Sequence, residues 1–110
     1  MAIATKKEGD VCIIGLNGEI DANTGASIRS EILELAESET KILLDFTDVS
    51  YMSSAGIRIV MQVYRAIQSK SGKLVLVGLS EEIKDTMEVT GFLPFFTVSP
   101  SVEEGLKALA

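Results

Sequence analysis

Histidine is absent from this 110-residue chain, and cysteine occurs only once. Without an imidazole, Ser-His-Asp and Cys-His catalysis, histidine-containing metal sites and histidine pH switches are all excluded. A lone thiol, Cys12, cannot build a zinc or iron–sulfur centre. Nor can it close an intramolecular disulfide, which points to a reducing, cytoplasmic compartment. It lies in the apolar run Val11-Cys12-Ile13-Ile14-Gly15-Leu16, where a packed thiol is expected rather than a nucleophile. Positive charge is scarce as well: 10 Lys and Arg stand against 16 Asp and Glu, a net charge of −6. That balance argues against nucleic acid, whose backbone needs a concentrated cationic surface. No apolar run approaches the ~20 residues that span a bilayer, so no membrane partner is expected. The opening residues Met1 to Lys7 lack the long apolar segment of a secretory signal. Carboxylate or lysine chemistry, phosphate binding, or no chemistry at all remain, and neither a cofactor nor a metal is expected.

Hydrophobic residues make up 46% of the chain, enough for one domain over residues 1–110 with a sizeable core and no room for a second. Strands are expected near 2–7 and 11–17, joined through Glu8-Gly9-Asp10 as a hairpin. Asp21 or Asn23 caps a helix running to about Glu37, with Ile28, Ile32, Leu33, Leu35 and Ala36 as its apolar stripe. A buried strand spans about 41–46. After it comes a helix with Ile57, Val60, Met61, Tyr64 and Ile67 at helical spacing, opposite Arg58, Gln62 and Arg65. The Ile59 and Val63 pair lies beside that stripe, as extra core under a neighbouring helix or as a partner patch. Ser71-Gly72 ends this helix, and Lys73 to Val77 is a third buried strand.

Ser80 caps a short helix with Ile83 and Met87 inward, stopped by Gly91. Phe95 to Val98 reads as the last strand. Ser99 as cap with Pro100 at the first helical position opens a terminal helix, in which Gly105 is a local weakness of about 1 kcal/mol. The order implies an α/β fold: a mixed, mainly parallel sheet with an antiparallel strand at its start and about four helices.

The stretch from Asp48 to Gly56, Asp48-Val49-Ser50-Tyr51-Met52-Ser53-Ser54-Ala55-Gly56, reads as a tight strand-to-helix junction holding two serines and a glycine. Helix N-termini carry unpaired N–H groups and the positive end of the dipole, so a phosphate on a hydroxyl there is tolerated by the fold. The pattern suggests a switch and not a catalyst. Gly15-Leu16-Asn17-Gly18 lacks dinucleotide-loop spacing, and Ser71-Gly72-Lys73 lacks the upstream glycine of a P-loop. Glu81-Glu82 and Glu103-Glu104 suit helix starts. Asp48 reads as an acceptor that stabilises the loop.

Three segments carry a resemblance: Leu16-Asn17-Gly18-Glu19-Ile20-Asp21, Ile42 to Val49, and Tyr51-Met52-Ser53-Ser54-Ala55-Gly56-Ile57. With the spacing of Gly91, Phe92 and Phe95 and the acidic last helix, the whole chain resembles the anti-sigma factor antagonists, bacterial members of the STAS-domain family. That resemblance implies a four-helix, mixed-sheet module, not an enzyme, whose unphosphorylated form binds an anti-sigma factor serine kinase and so frees a sigma factor. The kinase phosphorylates a serine at the start of the second helix, which blocks binding, and a serine phosphatase restores it. By its place in the motif the serine is Ser54, with Ser53 as the alternative. Ser53 stands where many members have an acidic residue, and Ala55 where a second serine is common. The implied partner surface comprises Asp21, Asn23, Thr24, Ser53, Ser54, Gly56, Ile57 and Arg58.

Plainer roles stand beside these. Either serine could simply be a helix cap worth about 1 kcal/mol, and both readings hold together if Ser53 caps while Ser54 points outward. Gly56 is a close-packing glycine, and Asp21 is as good a cap as a partner contact. Two other functions stay open: a scaffold or sensory subunit of a signalling assembly, with or without nucleotide binding, and a small enzyme using Asp21, Asp45 or Asp48 on a phosphorylated molecule.

Overall fold

Strand β1 (Ile3–Glu8) and strand β2 (Val11–Ile20) form an antiparallel hairpin in which Glu8 faces Val11. Gly9 at its turn has φ 61°, a conformation that glycine adopts without cost. The computed structural model describes residues 3–110. Ala2, at the start of the expected first strand, lies outside them. Helix α1 (Ala22–Leu35) carries the chain to β3 (Lys41–Met52), α2 (Ser54–Ser69) to β4 (Lys73–Val77), and α3 (Glu81–Val89) with a 3-10 turn at Leu93–Phe95 to β5 (Thr97–Ser99). Helix α4 (Val102–Leu109) ends the fold. The sheet order is β1-β2-β3-β4-β5, and every pair after the hairpin is parallel.

The central strands carry near-continuous apolar runs, Val11 to Ile14 in β2, Ile42 to Leu44 in β3 and Leu74 to Val77 in β4, because both sheet faces are covered there. One face, with Cys12, Ile14, Leu16, Ile42, Leu44, Phe46, Leu74 and Leu76, packs on α1, α2 and α3. The other, with Val11, Ile13, Leu43, Val75 and Val77, packs on Leu109, Val102 and Leu106 of α4. Alternate residues of each strand therefore enter alternate cores. Burial makes Cys12 inert and pushes its thiol pKa up. Ile59 and Val63 are core, not a partner patch, and a Cβ built on Gly25 would stand 2.5 Å from the Ile59 Cδ1, so glycine lets α1 and α2 approach.

Several sequence expectations are corrected. The third strand does not stop near Phe46 but runs to Met52. Two register shifts, between Gly15 and Asn17 and between Gly18 and Glu19 of β2, each place an extra residue in β3. Such bulges break the alternation that identifies a strand: after Phe46 the buried positions are Val49 and Met52. The junction of nine residues accordingly contracts to Ser53. Asp45, not Asp48, is the local acceptor, bonded to the Thr47 N–H at 3.0 Å and hydroxyl at 2.6 Å. Phe95 belongs to the 3-10 turn and β5 starts at Thr97. Ser99 closes β5, and the cap of α4 is Ser101, whose hydroxyl accepts from the Glu104 N–H at 3.2 Å. The cap therefore lies two residues after Ser99, with Pro100 before it, and the helix starts at Val102. Gly105 is more than a weak point, since its Cβ would meet Val77 Cγ1 at 2.7 Å and Leu43 Cδ1 at 2.8 Å. It is the place where α4 lies on the sheet.

Candidate functional site

Parallel pairing of β2 with β3 brings Ile20 opposite Met52 at their C-terminal ends. Each strand then turns directly into a helix, so the starts of α1 and α2 are neighbours, at the sheet edge where α/β proteins collect their sites. A backbone bond, Ser53 N–H to the Ile20 carbonyl at 2.9 Å, ties the two turns together.

Asp21 is the cap of α1; Asn23 is not, and lies exposed in its first turn. The Asp21 Oδ1 accepts the Asn23 N–H at 2.9 Å and the Thr24 N–H at 3.0 Å. In return the Thr24 hydroxyl accepts the Asp21 N–H at 3.0 Å and donates to the Glu19 carbonyl at 2.8 Å. Threonine thus performs the reciprocal half of a capping box, where Glu or Gln is usual. The Thr24 N–H, seconded by the Asn23 N–H and the Thr24 hydroxyl, holds the Asp21 carboxyl below the usual carboxylate range, against the opposing pull of partial burial.

Ser53 is the cap of α2. Its backbone is extended, with φ −75° and ψ 168°, and its hydroxyl accepts the Gly56 N–H at 3.1 Å. Ser54 is the first helical residue, and it is exposed. The two serines therefore divide the two roles: one closes the helix end, and the other presents a free-standing hydroxyl to solvent.

Gly56 and Ile57 do not belong to an exposed surface. Ile57 is fully buried, and Gly56 sits so close to the first turn that a Cβ would lie 2.6 Å from the Ile20 carbonyl oxygen. They set the distance between the turns and cannot offer a side chain to a partner. Arg58, one turn after Ser54, is exposed. Outside the set expected from the sequence, Tyr51 is 47% exposed as the second-last residue of β3, paired with Glu19 beside the two turns. Its signal, an aromatic beside the serines, was masked by reading the bulged strand as loop.

No group of three or more Cys, Asp or Glu side chains among the described residues could hold a metal ion. Among the same residues, no helix is long and apolar enough to cross a membrane.

A model of the STAS domain family matches residues 2–105. The chain is 28% identical over 102 residues to the anti-sigma-B factor antagonist of Bacillus subtilis, covering 93% of each protein. It is 34% identical over 88 residues to the anti-sigma-B factor antagonist of Listeria monocytogenes, covering 78% of this chain and 76% of the relative. Those names describe regulators and not catalysts. The fold is similar to that of the anti-sigma factor antagonist SpoIIAA in its unphosphorylated form, with a TM-score of 0.81 at 23% identity over 97% of this chain and 95% of the other. The phosphorylated form of the Bacillus SpoIIAA gives 0.75 at 22% identity over 99% and 100%. The chain belongs to the STAS-domain family, and the relatives it is similar to there are anti-sigma factor antagonists.

Proposed function

We propose that this chain is a phosphorylation-switched anti-sigma factor antagonist of the cytoplasm. Its unmodified form binds an anti-sigma factor serine kinase and so frees a sigma factor. The kinase moves the γ-phosphoryl group of ATP onto the Ser54 Oγ, which ends the complex, and a serine phosphatase removes it. The observation that carries this reading is the division of labour between the serines. Ser53 is occupied as a cap, whereas Ser54 is exposed at the first position of α2. The first N–H groups of a helix have no intrahelical partner, so a phosphate there meets donors and the positive dipole end. Added to a docked surface, its charge of about −1.5 to −2 disrupts binding wherever it faces carboxylate or apolar groups.

The surface we assign to the partner is Ser53, Ser54 and Arg58 with Asp21, Asn23 and Thr24, extended by Tyr51. Ser54→Ala tested beside Ser53→Ala with the purified cognate kinase and ATP decides the matter. Phosphate incorporation is lost in Ser54→Ala and kept in Ser53→Ala. Loss in Ser53→Ala alone would move the site by one residue, and incorporation in both would end the switch reading.

A further inference from the structure

The three arginines of the chain are Arg29, Arg58 and Arg65. Every ion pair among the described residues uses a lysine instead: Lys7 with Glu39, Lys41 with Asp10, Lys84 with Glu81 and Lys107 with Glu104. Arg29 is engaged across the helix pair by the Gln62 side chain. Arg58, like Arg65, has no hydrogen-bond or ion-pair partner among the described residues. It borders an open hollow of about 190 Å³ shared with Met61, Gln62, Arg65 and Phe92. None of the three guanidiniums has a carboxylate partner among the described residues, so position and not the missing carboxylate must single Arg58 out.

Its position supplies the reason. Ser54 and Arg58 lie four positions apart within α2, and both are exposed. Side chains at that spacing are neighbours on a helix surface, about 5–6 Å apart at Cβ. The long arginine stem covers that span, and the guanidinium fork matches phosphate oxygens in two parallel bonds. The acidic residue comes first in sequence, which is the better order for such a pair.

We infer that Arg58 is the built-in counter-charge for a phosphate on Ser54. This rests on the reading of Ser54 as the modified residue and specifies how the modification acts. Modification closes a phosphate–guanidinium pair along one face of α2. The pair withdraws Arg58 from the exposed surface at the same time as it adds negative charge there. One event therefore changes two contacts, with no movement of the backbone.

Besides Arg58 on its own helix, the adjoining end of β2 and the turn after it carry the carboxylates of Glu19 and Asp21. Both disfavour the dianion, but equally in parent and Arg58 variants, so a comparison isolates the arginine.

The test is a full-length chain with phosphoserine encoded at position 54, made as parent, Arg58→Gln, Arg58→Lys and Arg65→Gln, with phosphate titration followed by phosphorus NMR. A free phosphoserine has its second ionisation at about 6. The parent titrates below the Arg58→Gln chain, Arg58→Lys falls between them, and Arg65→Gln matches the parent. The gap between parent and Arg58→Gln narrows in about 1 M salt, where the Debye length is ~3 Å. Equal midpoints in parent and Arg58→Gln overturn the inference. So does an Arg65→Gln shift as large as that of Arg58→Gln, which would mean a diffuse charge effect. Amide spectra of each variant confirm the fold. Because the phosphate is encoded, a negative result here leaves the kinase assignment standing, and a failed kinase assay leaves this measurement intact.

Discussion

The Ser53 N–H donates to the Ile20 carbonyl at 2.9 Å, and the Gly56 of the next turn packs against that same carbonyl. One backbone oxygen thereby sets the spacing between the starts of α1 and α2. Asp21 and Ser54 each lie one residue past this clamp, so the clamp fixes their relative placement more tightly than either side chain does. The expected consequences can be measured.

Removing the cap separates folding from modification. Ser53→Ala loses the bond to the Gly56 N–H, and the chain is expected to lose about 1 kcal/mol in urea denaturation. Phosphate incorporation at Ser54, read by mass spectrometry, remains. Ser54→Ala shows the opposite pattern, near-parental stability without incorporation.

A permanent negative charge at the first helical position is favourable to the dipole. Ser54→Asp is expected to melt cooperatively, at or slightly above the parent temperature, while kinase binding measured by calorimetry weakens at least tenfold, or about 1.4 kcal/mol. Loss of the cooperative melt would show that the side chain is structural.

Asp21 links stability at the site to pH. Its native pKa is depressed, chiefly by the Thr24 N–H. The stabilisation is therefore present above the unfolded value of about 3.9 and is lost as pH falls through the native value. Asp21→Asn keeps a neutral cap without the titrating charge. The melting temperature of the parent should exceed that of Asp21→Asn at neutral pH, and the gap should narrow as pH falls below the unfolded carboxylate value of about 3.9. A constant gap would remove the carboxylate from this role. The same variant should slow phosphorylation if Asp21 meets a cation on the kinase.

Gly56→Ala tests the clamp. Its methyl group would stand 2.6 Å from a backbone oxygen that cannot move without parting β2 from β3. The expected cost is about 1–3 kcal/mol, with weakened partner binding. Gly25→Ala is the control, because its 2.5 Å neighbour is the Ile59 Cδ1, the end of a side chain that can rotate. A larger loss at Gly25 than at Gly56 would show that helix packing, and not the clamp, limits the site.

Much of the site was legible in the linear chain. The first halves of β2 and β3 and most of β4 announce themselves as apolar runs, and the helices as spaced stripes closed by Asp21, Ser80 and Gly91, because burial and capping act through residues close in sequence. The pair of serines at a helix start carried the functional reading for the same reason. The bulged half of β3 escaped because its two extra residues destroy the alternation, and a bulge is a property of pairing with β2. The start of α4 was misplaced because Ser99-Pro100-Ser101 offers two serines as cap. Pairing of Val77 with Ser99 in the sheet selects the second.

What the sequence by itself determined was the alternation of strands and helices, the mainly parallel sheet and the pair of serines at a helix start, since each depends on local periodicity and on backbone groups that need nearby partners. The assignment of Ser53 to the helix cap and Ser54 to solvent was decided only by tertiary structure. So was the exclusion of Gly56 and Ile57 from the exposed surface. Parallel pairing of two strands separated by the whole of α1 presses the Ile20 carbonyl onto the start of α2, and that contact leaves Gly56 no room and turns Ile57 inward.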